Sequence, residues 1–351
     1  MNNEKKWNLE LSEYIKQGEL IEQEKAKNWE TAIGLQDVDG LKPSDYLLKT
    51  AKEHIEGKID ISEAKDRINN YYKVNNERNN VAHGSEEADK VSVRITEILS
   101  EKAFNFSPTE LLNIHKRLFT GIYDRAGKFR DYNFTKDEWI LNDDTVTYSS
   151  YESIKETLDY DFEQERLFSY KDLGFDESLK HLCRFISNIW QVHPFCEGNT
   201  RTTAVFLIKY LRTFGFDVDD DIFANNSWYF RNALVRANYK NYHKNVFEDI
   251  SFLEKFFYNL LGNANYELKN RYMHIDYVGD INNVDQIDKY TLEEKAIIDI
   301  IKNNPMIKQE EIALKINKSV RTVKNYMITM QEKGLIERKN GKRNGEWVVN
   351  E

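Results

Sequence analysis

The chain has 351 residues, of which 40% are hydrophobic and 31% are charged, so it is long enough for two or three domains of roughly 100 to 200 residues each. Its net charge of −9 argues against a protein coated with nucleic acid over its whole surface. No apolar run approaches the ~18 residues of a membrane helix, and the amino terminus lacks the apolar core of a signal peptide. We therefore expect a cytoplasmic protein with no membrane partner.

The first 260 residues are predicted to be mainly helical, because apolar residues recur at intervals of three and four with few Gly or Pro between them. Residues 91–104 and 178–192 show this pattern most clearly. The exception is KDEWILNDDTVTYSS, residues 136–150, where apolar positions flank Asn142-Asp143-Asp144. This pattern predicts a β-hairpin with a polar turn, which is either functional or a surface ribbon without a role.

The stretch QVHPFCEGNTRTTAVF, residues 191–206, is predicted to be a tight loop between two helices. Pro194 disfavours helical geometry at His193, and Gly198-Asn199 signals a turn before the next helix. The unpaired N–H groups at the start of that helix favour a phosphate.

Three side chains of this loop suit chemistry on a phosphate. Arg201 can make a bidentate contact to phosphate oxygens, and Glu197 is a suitable Mg²⁺ ligand. His193 has an ordinary pKa near neutrality, as a general base requires. Taken alone, His193 is better explained as a residue that caps the end of a helix.

The sequence HPFCEGNTR, residues 193–201, resembles the Fic family motif His-Pro-Phe-x-Asp/Glu-Gly-Asn-x-Arg at every fixed position. The resemblance covers about residues 91–242, including AGKFRDYNF before the hairpin and YFRNALVRANY after the motif. It implies a helical Fic core that transfers a nucleotide monophosphate, usually AMP from ATP, to a hydroxyl side chain of another protein. The expected activity is thus that of a protein adenylyltransferase with ATP as substrate, Mg²⁺ as cofactor and a Ser, Thr or Tyr hydroxyl as acceptor.

The resemblance also implies roles for individual residues. His193 would deprotonate the acceptor hydroxyl, and Glu197 would hold Mg²⁺ on the α and β phosphates. The nucleotide would be bound by Gly198, Asn199, Thr200, Arg201, Thr202, Thr135, Lys136, Asp137, Phe230 and Asn238. For Phe230 and Asn238, helix packing is an equal alternative. The hairpin, residues 136–150, would be the flap that binds the target segment by strand addition.

The sequence departs from the family pattern at a regulatory contact. The second motif Arg, which usually grips the γ phosphate or pairs with an inhibitory Glu, is replaced by Ala204. Residues 29–47 resemble the antitoxin-like helix of the family, with Asp39 in the place of that Glu. Without an Arg at position 204 we expect Asp39 to lack a strong partner, and a helix cap is the alternative role.

The carboxyl-terminal block carries a local charge of +3, with 12 Lys and Arg against 9 Asp and Glu in residues 291–351. Its pattern resembles a winged helix-turn-helix, in which Ser319 caps a second helix that begins at Val320. The outward face of this helix would carry Arg321, Thr322, Lys324 and Asn325, and the wing Lys339, Lys342 and Arg343. DNA binding and protein docking are both open for this block.

The predicted fold is therefore mainly α, a Fic helical core with a β-hairpin flap and a carboxyl-terminal winged helix-turn-helix. The expected regions are a helical region with a degenerate inhibitory helix (1–88), the Fic core (89–262), a linker (263–290) and the winged helix (291–351). A nucleotide-sensing DNA-binding regulator and a Fic-fold phosphotransferase are the alternative functions. A homodimer is compatible with the sequence.

Overall fold

The computed structural model describes residues 3–76, 84–171, 173–216, 218, 221–262, 264–278, 290–339 and 345–350. In these ranges the chain is mainly α, as predicted, with fourteen α-helices and one antiparallel pair of short strands. None of the described helices is long and apolar enough to cross a membrane.

The amino-terminal region is a group of four helices with a small core of its own. The helices are α1 (Asn3–Gln17), α2 (Leu20–Gly34), α3 (Asp45–Ile55) and α4 (Ile61–Asn76). A five-residue 3-10 helix, Leu35–Asp39, follows α2 directly. Trp29, Leu47, Ile55 and Tyr72 fill the space between these helices, and α2 also packs against α5 and α10. This packing brings the end of α2, and with it Asp39, against the central part of the chain.

The central part consists of seven helices around one large apolar core. They are α5 (Ser85–Ser100), α6 (Pro108–Phe119), α7 (Ile154–Leu167), α8 (Phe175–Val192), α9 (Asn199–Thr213), α10 (Asp221–Asn238, kinked at Asn226) and α11 (Ser251–Leu261). The amphipathic segment predicted at 178–192 is α8, whose apolar face is buried in this core. Because α5 begins at Ser85, the predicted boundary after residue 88 falls inside a helix.

The flap is not a regular β-hairpin, so this part of the fold prediction is corrected. Within residues 136–150, strand-like pairing is limited to one isolated bridge between Glu138 and Asp144. Residues Trp139–Leu141 form a 3-10 turn, and Asn142 and Asp143 both have positive φ. This turn buries Ile140 and Leu141 together, which the alternation of a strand would have placed on opposite faces.

The described part of the expected linker, residues 264–278, packs onto the central helices. The side chain of Asn259 donates to the carbonyl of Tyr266 (2.9 Å) and accepts from its N–H (2.8 Å), and Met273 is fully buried. The backbone N–H of Ile275 donates to the carbonyl of Ile140 in the flap (2.9 Å). Residues 279–289 lie outside the described residues, so the extent of a linker there stays a prediction.

The carboxyl-terminal block is a winged helix-turn-helix, as predicted. It comprises α12 (Leu292–Asn303), α13 (Gln309–Lys315), α14 (Val320–Glu332), β1 (Ile336–Lys339) and β2 (Glu346–Val349). Ser319 caps α14 by accepting from the N–H of Thr322 (3.1 Å). Arg321, Lys324 and Asn325 are exposed on α14, whereas Lys342 and Arg343 lie outside the described residues.

The winged helix shares its core with the central helices. Buried residues of α12, α13 and α14 belong to the same apolar cluster as α8 and α9. One close approach is at Gly215, where a Cβ atom would lie 2.3 Å from Cγ2 of Ile316. Gly215 also has a φ of +93°, so no other residue is easily accommodated there.

Candidate active site

The motif forms the helix–loop–helix that the sequence predicts. α8 ends at Val192, and His193 follows it in the left-handed conformation with a φ of 49°. Gly198 precedes α9 with a φ of +75°, and a Cβ atom there would lie 2.4 Å from the ring of Phe119. Both the backbone angle and the contact with Phe119 therefore require glycine at this position.

His193 is buried, with 3% of its surface exposed. Its ring stacks on Tyr148 at a centroid distance of 4.0 Å and meets Trp190 edge-on at 5.3 Å. Neither ring nitrogen has a hydrogen-bond partner among the described residues. Burial, followed by the positive charge of Lys136, lowers the pKa of His193 well below its ordinary value. The imidazole is therefore neutral at physiological pH and can accept a proton.

A small cavity lies next to this imidazole. The cavity is lined by Asp39, Lys136, Glu138, Trp190, His193, Gly198, Asn199, Thr200 and Arg231. Five of the residues expected from the sequence thus meet at one cavity, and Asp39 of the amino-terminal region closes it from another side.

The first residues of α9 line the cavity and also make hydrogen bonds that fix the motif loop before them. The side chain of Asn199 accepts from the N–H of Phe195 (3.0 Å) and donates to its carbonyl (2.8 Å). The hydroxyl of Thr200 accepts from the indole N–H of Trp190 (3.0 Å). Thr202 is fully buried, and its hydroxyl donates to the carbonyl of Gly198 (2.8 Å). This hydroxyl therefore stabilises the first turn of α9 and does not line the cavity.

Arg201 is buried with 1% of its surface exposed, and its guanidinium is surrounded by acceptors from distant parts of the chain. It lies 2.8 Å from the carboxylate of Asp39 and 2.6 Å from that of Glu87. It also donates to Gln36 (3.0 Å) and Tyr123 (2.9 Å). The expectation that Asp39 lacks a strong partner is therefore wrong, because Asp39 pairs with the first motif arginine instead of the missing second one.

The base of the flap reaches the motif through Lys136, whose ammonium donates to the carboxylate of Glu197 (2.9 Å). The Glu197 side chain is 54% exposed. Thr135 and Asp137 are exposed and do not line the cavity. A single exposed carboxylate such as that of Glu197 is compatible with Mg²⁺, which keeps most of its waters and takes substrate phosphates as further ligands.

Phe230 and Asn238 do not reach the cavity in this structure. The ring of Phe230 is fully buried and packs on Phe223 (5.2 Å) and Phe256 (5.0 Å). Asn238 donates to the hydroxyl of Ser187 (2.9 Å). Both contacts belong to the packing of α10, the alternative that the sequence left open.

Sequence reasoning missed an ion pair in the cavity wall. Glu138 of the flap is 1% exposed and makes two hydrogen bonds with Arg231 of α10, at 2.7 and 3.0 Å. Burial raises the pKa of Glu138, although Arg231 opposes the shift. The two residues are 93 positions apart, so no local pattern could have paired them.

Arg130, within the quoted AGKFRDYNF, is a second residue to which the sequence assigned no role. It is 2% exposed, and its side chain donates to the carbonyls of His193 (2.8 Å), Tyr132 (2.9 Å) and Ser149. Its backbone N–H donates to the carbonyl of Pro194 (2.9 Å). Arg130 therefore ties the His193–Pro194 bend to the end of the flap.

Comparisons with known proteins agree with this arrangement. Residues 105–211 match the family model described as Fic/DOC family, and residues 294–337 match the one described as winged helix-turn-helix DNA-binding. Residues 105–211, within the central part, are thus similar to the Fic/DOC family, and residues 294–337 are similar to winged helix-turn-helix domains.

Individual relatives are distant. Protein adenylyltransferase VbhT of Bartonella schoenbuchensis is 27% identical over 140 residues, which cover 40% of this chain. The match spans about a quarter of that relative's length, 27%. The crystal structure of a Fic family protein from Desulfovibrio desulfuricans G20 aligns with a TM-score of 0.45 at 12% identity, covering 100% of this chain and 96% of that one.

Proposed function

We propose that the chain transfers AMP from ATP to a hydroxyl side chain of a target protein. The observation that carries this proposal is the state of His193, a buried, neutral imidazole with two unpartnered nitrogens among the described residues. It lines the same cavity as the first residues of α9. A base and a phosphate-binding helix start are what this transfer needs.

The transfer joins the acceptor hydroxyl to the α phosphorus of ATP. The hydroxyl oxygen attacks that phosphorus, the bond from the phosphorus to the oxygen that bridges to the β phosphate breaks, and pyrophosphate leaves. The hydroxyl proton passes to the imidazole of His193, which its lowered pKa keeps unprotonated at neutral pH. Stacking on Tyr148 fixes the ring orientation for this step.

The phosphates would be bound by backbone N–H groups of Gly198, Asn199 and Thr200, with the positive end of the α9 dipole behind them. Arg201 would contact the β phosphate after its bonds to Asp39 and Glu87 are broken. Glu197 would hold Mg²⁺, which neutralises phosphate charge when it is bound. Lys136 pairs with the carboxylate of Glu197 and lines the cavity, so its ammonium would contact the phosphates.

Position-specific labelling of ATP tests the proposal. The purified chain is incubated with a cell lysate and ATP labelled at the α or at the γ phosphate, and a lysate without the chain is the control. We expect protein-bound label from the α position alone, because pyrophosphate leaves. Label from the γ position would instead indicate a phosphotransferase, and no bound label from either position would contradict both activities.

A second proposed function is DNA binding by the winged helix. It is favoured by the exposure of Arg321, Lys324 and Asn325 on α14, the helix that enters the major groove in such domains. Replacing Arg321 and Lys324 with Ala should weaken DNA binding and lower the salt dependence by about one unit for each lost phosphate contact. Glu332→Gln is the matched control on the same helix, and equal DNA affinity in all variants would favour a docking role.

A further inference from the structure

His115 of α6 is a buried histidine with fixed partners on both ring nitrogens. It is 2% exposed. The backbone N–H of Gly127 lies 2.8 Å from Nδ1, and the backbone carbonyl of Glu197 lies 3.0 Å from Nε2. A backbone N–H only donates and a carbonyl only accepts. Nδ1 must therefore be the acceptor, and the single proton of the neutral ring must be on Nε2.

The partners of His115 connect two parts of the site. Gly127 belongs to the AGKFR segment that ends in Arg130, whereas Glu197 belongs to the motif loop. The imidazole also stacks on Phe195 at 3.7 Å, with an interplanar angle of 10°. The backbone of Phe195 is in turn held by Asn199. The loop from Phe195 to Asn199 is thus fixed by one ring face and one N–H of His115.

The bond to Glu197 also orients the next N–H group. In a trans peptide the carbonyl of one residue and the N–H of the next point in opposite directions. The carbonyl of Glu197 points to His115, so the N–H of Gly198 points away from it. Gly198 lines the cavity, and its N–H is among the groups proposed above to bind the phosphates.

We propose that His115 is a positioning residue for nucleotide binding, which as the Nε2–H tautomer holds the Glu197–Gly198 peptide with its N–H directed at the phosphates. This inference rests on the proposed function. His115 itself touches neither nucleotide nor acceptor, and it acts through the backbone of the motif loop.

Three substitutions separate the two hydrogen bonds. In His115→Gln the side-chain amide places a donor near the Nε2 position, so the bond to Glu197 is retained. His115→Asn keeps an acceptor near the Nδ1 position, for the N–H of Gly127, but loses the donor to Glu197. His115→Phe loses both hydrogen bonds and keeps only the stacking on Phe195. We expect ATP affinity to fall on the order of 10- to 100-fold in the Asn and Phe variants, the effect of a lost hydrogen bond to a charged group. The Gln variant should stay within about 3-fold of the wild type, since its donor remains.

His54 provides the control for a structural effect. It is also a buried histidine, and its Nδ1 accepts from Trp29 (3.0 Å), but it lies in α3 among the amino-terminal helices. His54→Phe should lower the Tm without lowering ATP affinity. If His115→Phe binds ATP as tightly as His115→Gln at matched Tm, the positioning role is overturned.

A nucleotide-free measurement separates this inference from the proposed function. In the full chain labelled with ¹⁵N-histidine, the His115 resonances, assigned by their loss in His115→Gln, should show a protonated Nε2 and an unprotonated Nδ1. In a second sample, labelled with ¹⁵N-glycine, the amide signal of Gly198 should shift in His115→Phe and be restored in His115→Gln. A chain that fails to transfer AMP but shows these signals would refute only the activity, whereas the opposite tautomer would refute the inference.

Discussion

At the scale of single residues, Arg201 changes the interpretation of the amino-terminal region. Burying a guanidinium without partners lowers the stability of the fold, and here two carboxylates compensate the positive charge of Arg201. Asp39 and Glu87 both contact Nη2 of Arg201, and Asp39 also lines the cavity. If the chain binds ATP as proposed, this conformation would oppose that binding, because the charge of Arg201 is already compensated.

Removing one of these carboxylates should increase nucleotide binding. Asp39→Asn leaves Arg201 undercompensated and therefore more attractive to phosphate, so we expect ATP affinity to rise about 10-fold, equivalent to ~1.4 kcal/mol. The measurement is calorimetric titration with ATP and Mg²⁺. Asp37→Asn is the matched control, since it removes the same charge from the same 3-10 helix at a residue that does not line the cavity. An equal response of both variants would show that Asp39 does not oppose nucleotide binding through its contact with Arg201.

What the sequence could predict at this scale depends on distance along the chain. His193, Gly198 and the loop around them follow from adjacent residues, because Pro194 and Gly198 act on the local backbone. Asp39 and Arg201 are 162 positions apart by their numbers, and their pairing depends on how the 3-10 helix after α2 packs against α9. Patterns of spacing do not contain that information.

At the scale of elements, the flap is held by several neighbours rather than by its own strands. Asp144 accepts from the hydroxyl of Tyr239 (2.7 Å), which is the main reason its pKa falls to about 2. Asn142 donates to Asp276 (2.5 Å), and the rings of Trp139 and His274 lie 5.4 Å apart. The sequence predicted a ribbon at this place because the polar turn is local, but it could not predict that residues 270–277 would cover its tip.

Among the contacts that fix the flap, the buried pair of Glu138 and Arg231 should contribute most to the free energy of unfolding. Arg231→Met removes the partner of a carboxylate that is 1% exposed, so we expect unfolding free energy to fall by about 3 kcal/mol. The double variant Glu138→Leu/Arg231→Met should recover most of the loss, because no buried charge remains. Urea unfolding measures both. A double variant no more stable than Arg231→Met would contradict this explanation.

At the scale of the whole molecule, the winged helix is part of the same folded unit as the central helices. The two share one apolar cluster, and Gly215 at the end of α9 lies against Ile316. The composition of residues 291–351 predicted the domain itself, since its helices and cap are local features. The docking of this domain on α8 and α9 depends on surface shape, which the sequence does not display.

The contact at Gly215 provides a test of this shared core. Gly215→Ala places a methyl group 2.3 Å from Ile316 at a φ of +93°, so we expect a loss of about 1–3 kcal/mol from backbone strain and overlap. Gly174→Ala is the control, because that glycine has a φ of −65° and open space around the added atom. Thermal unfolding compares the two, and equal Tm values would show that the domains do not depend on this contact.

The central claim, that His193 is the base for AMP transfer, is tested most directly by His193→Ala in the assay with ATP labelled at the α phosphate. The loop should stay in place, because Arg130 holds it through the backbone carbonyls of His193 and Pro194, and circular dichroism checks that the variant is folded. We expect label transfer to fall on the order of 10²- to 10⁴-fold, the contribution of a positioned general base. Transfer by the folded variant at the rate of the wild type would contradict the account.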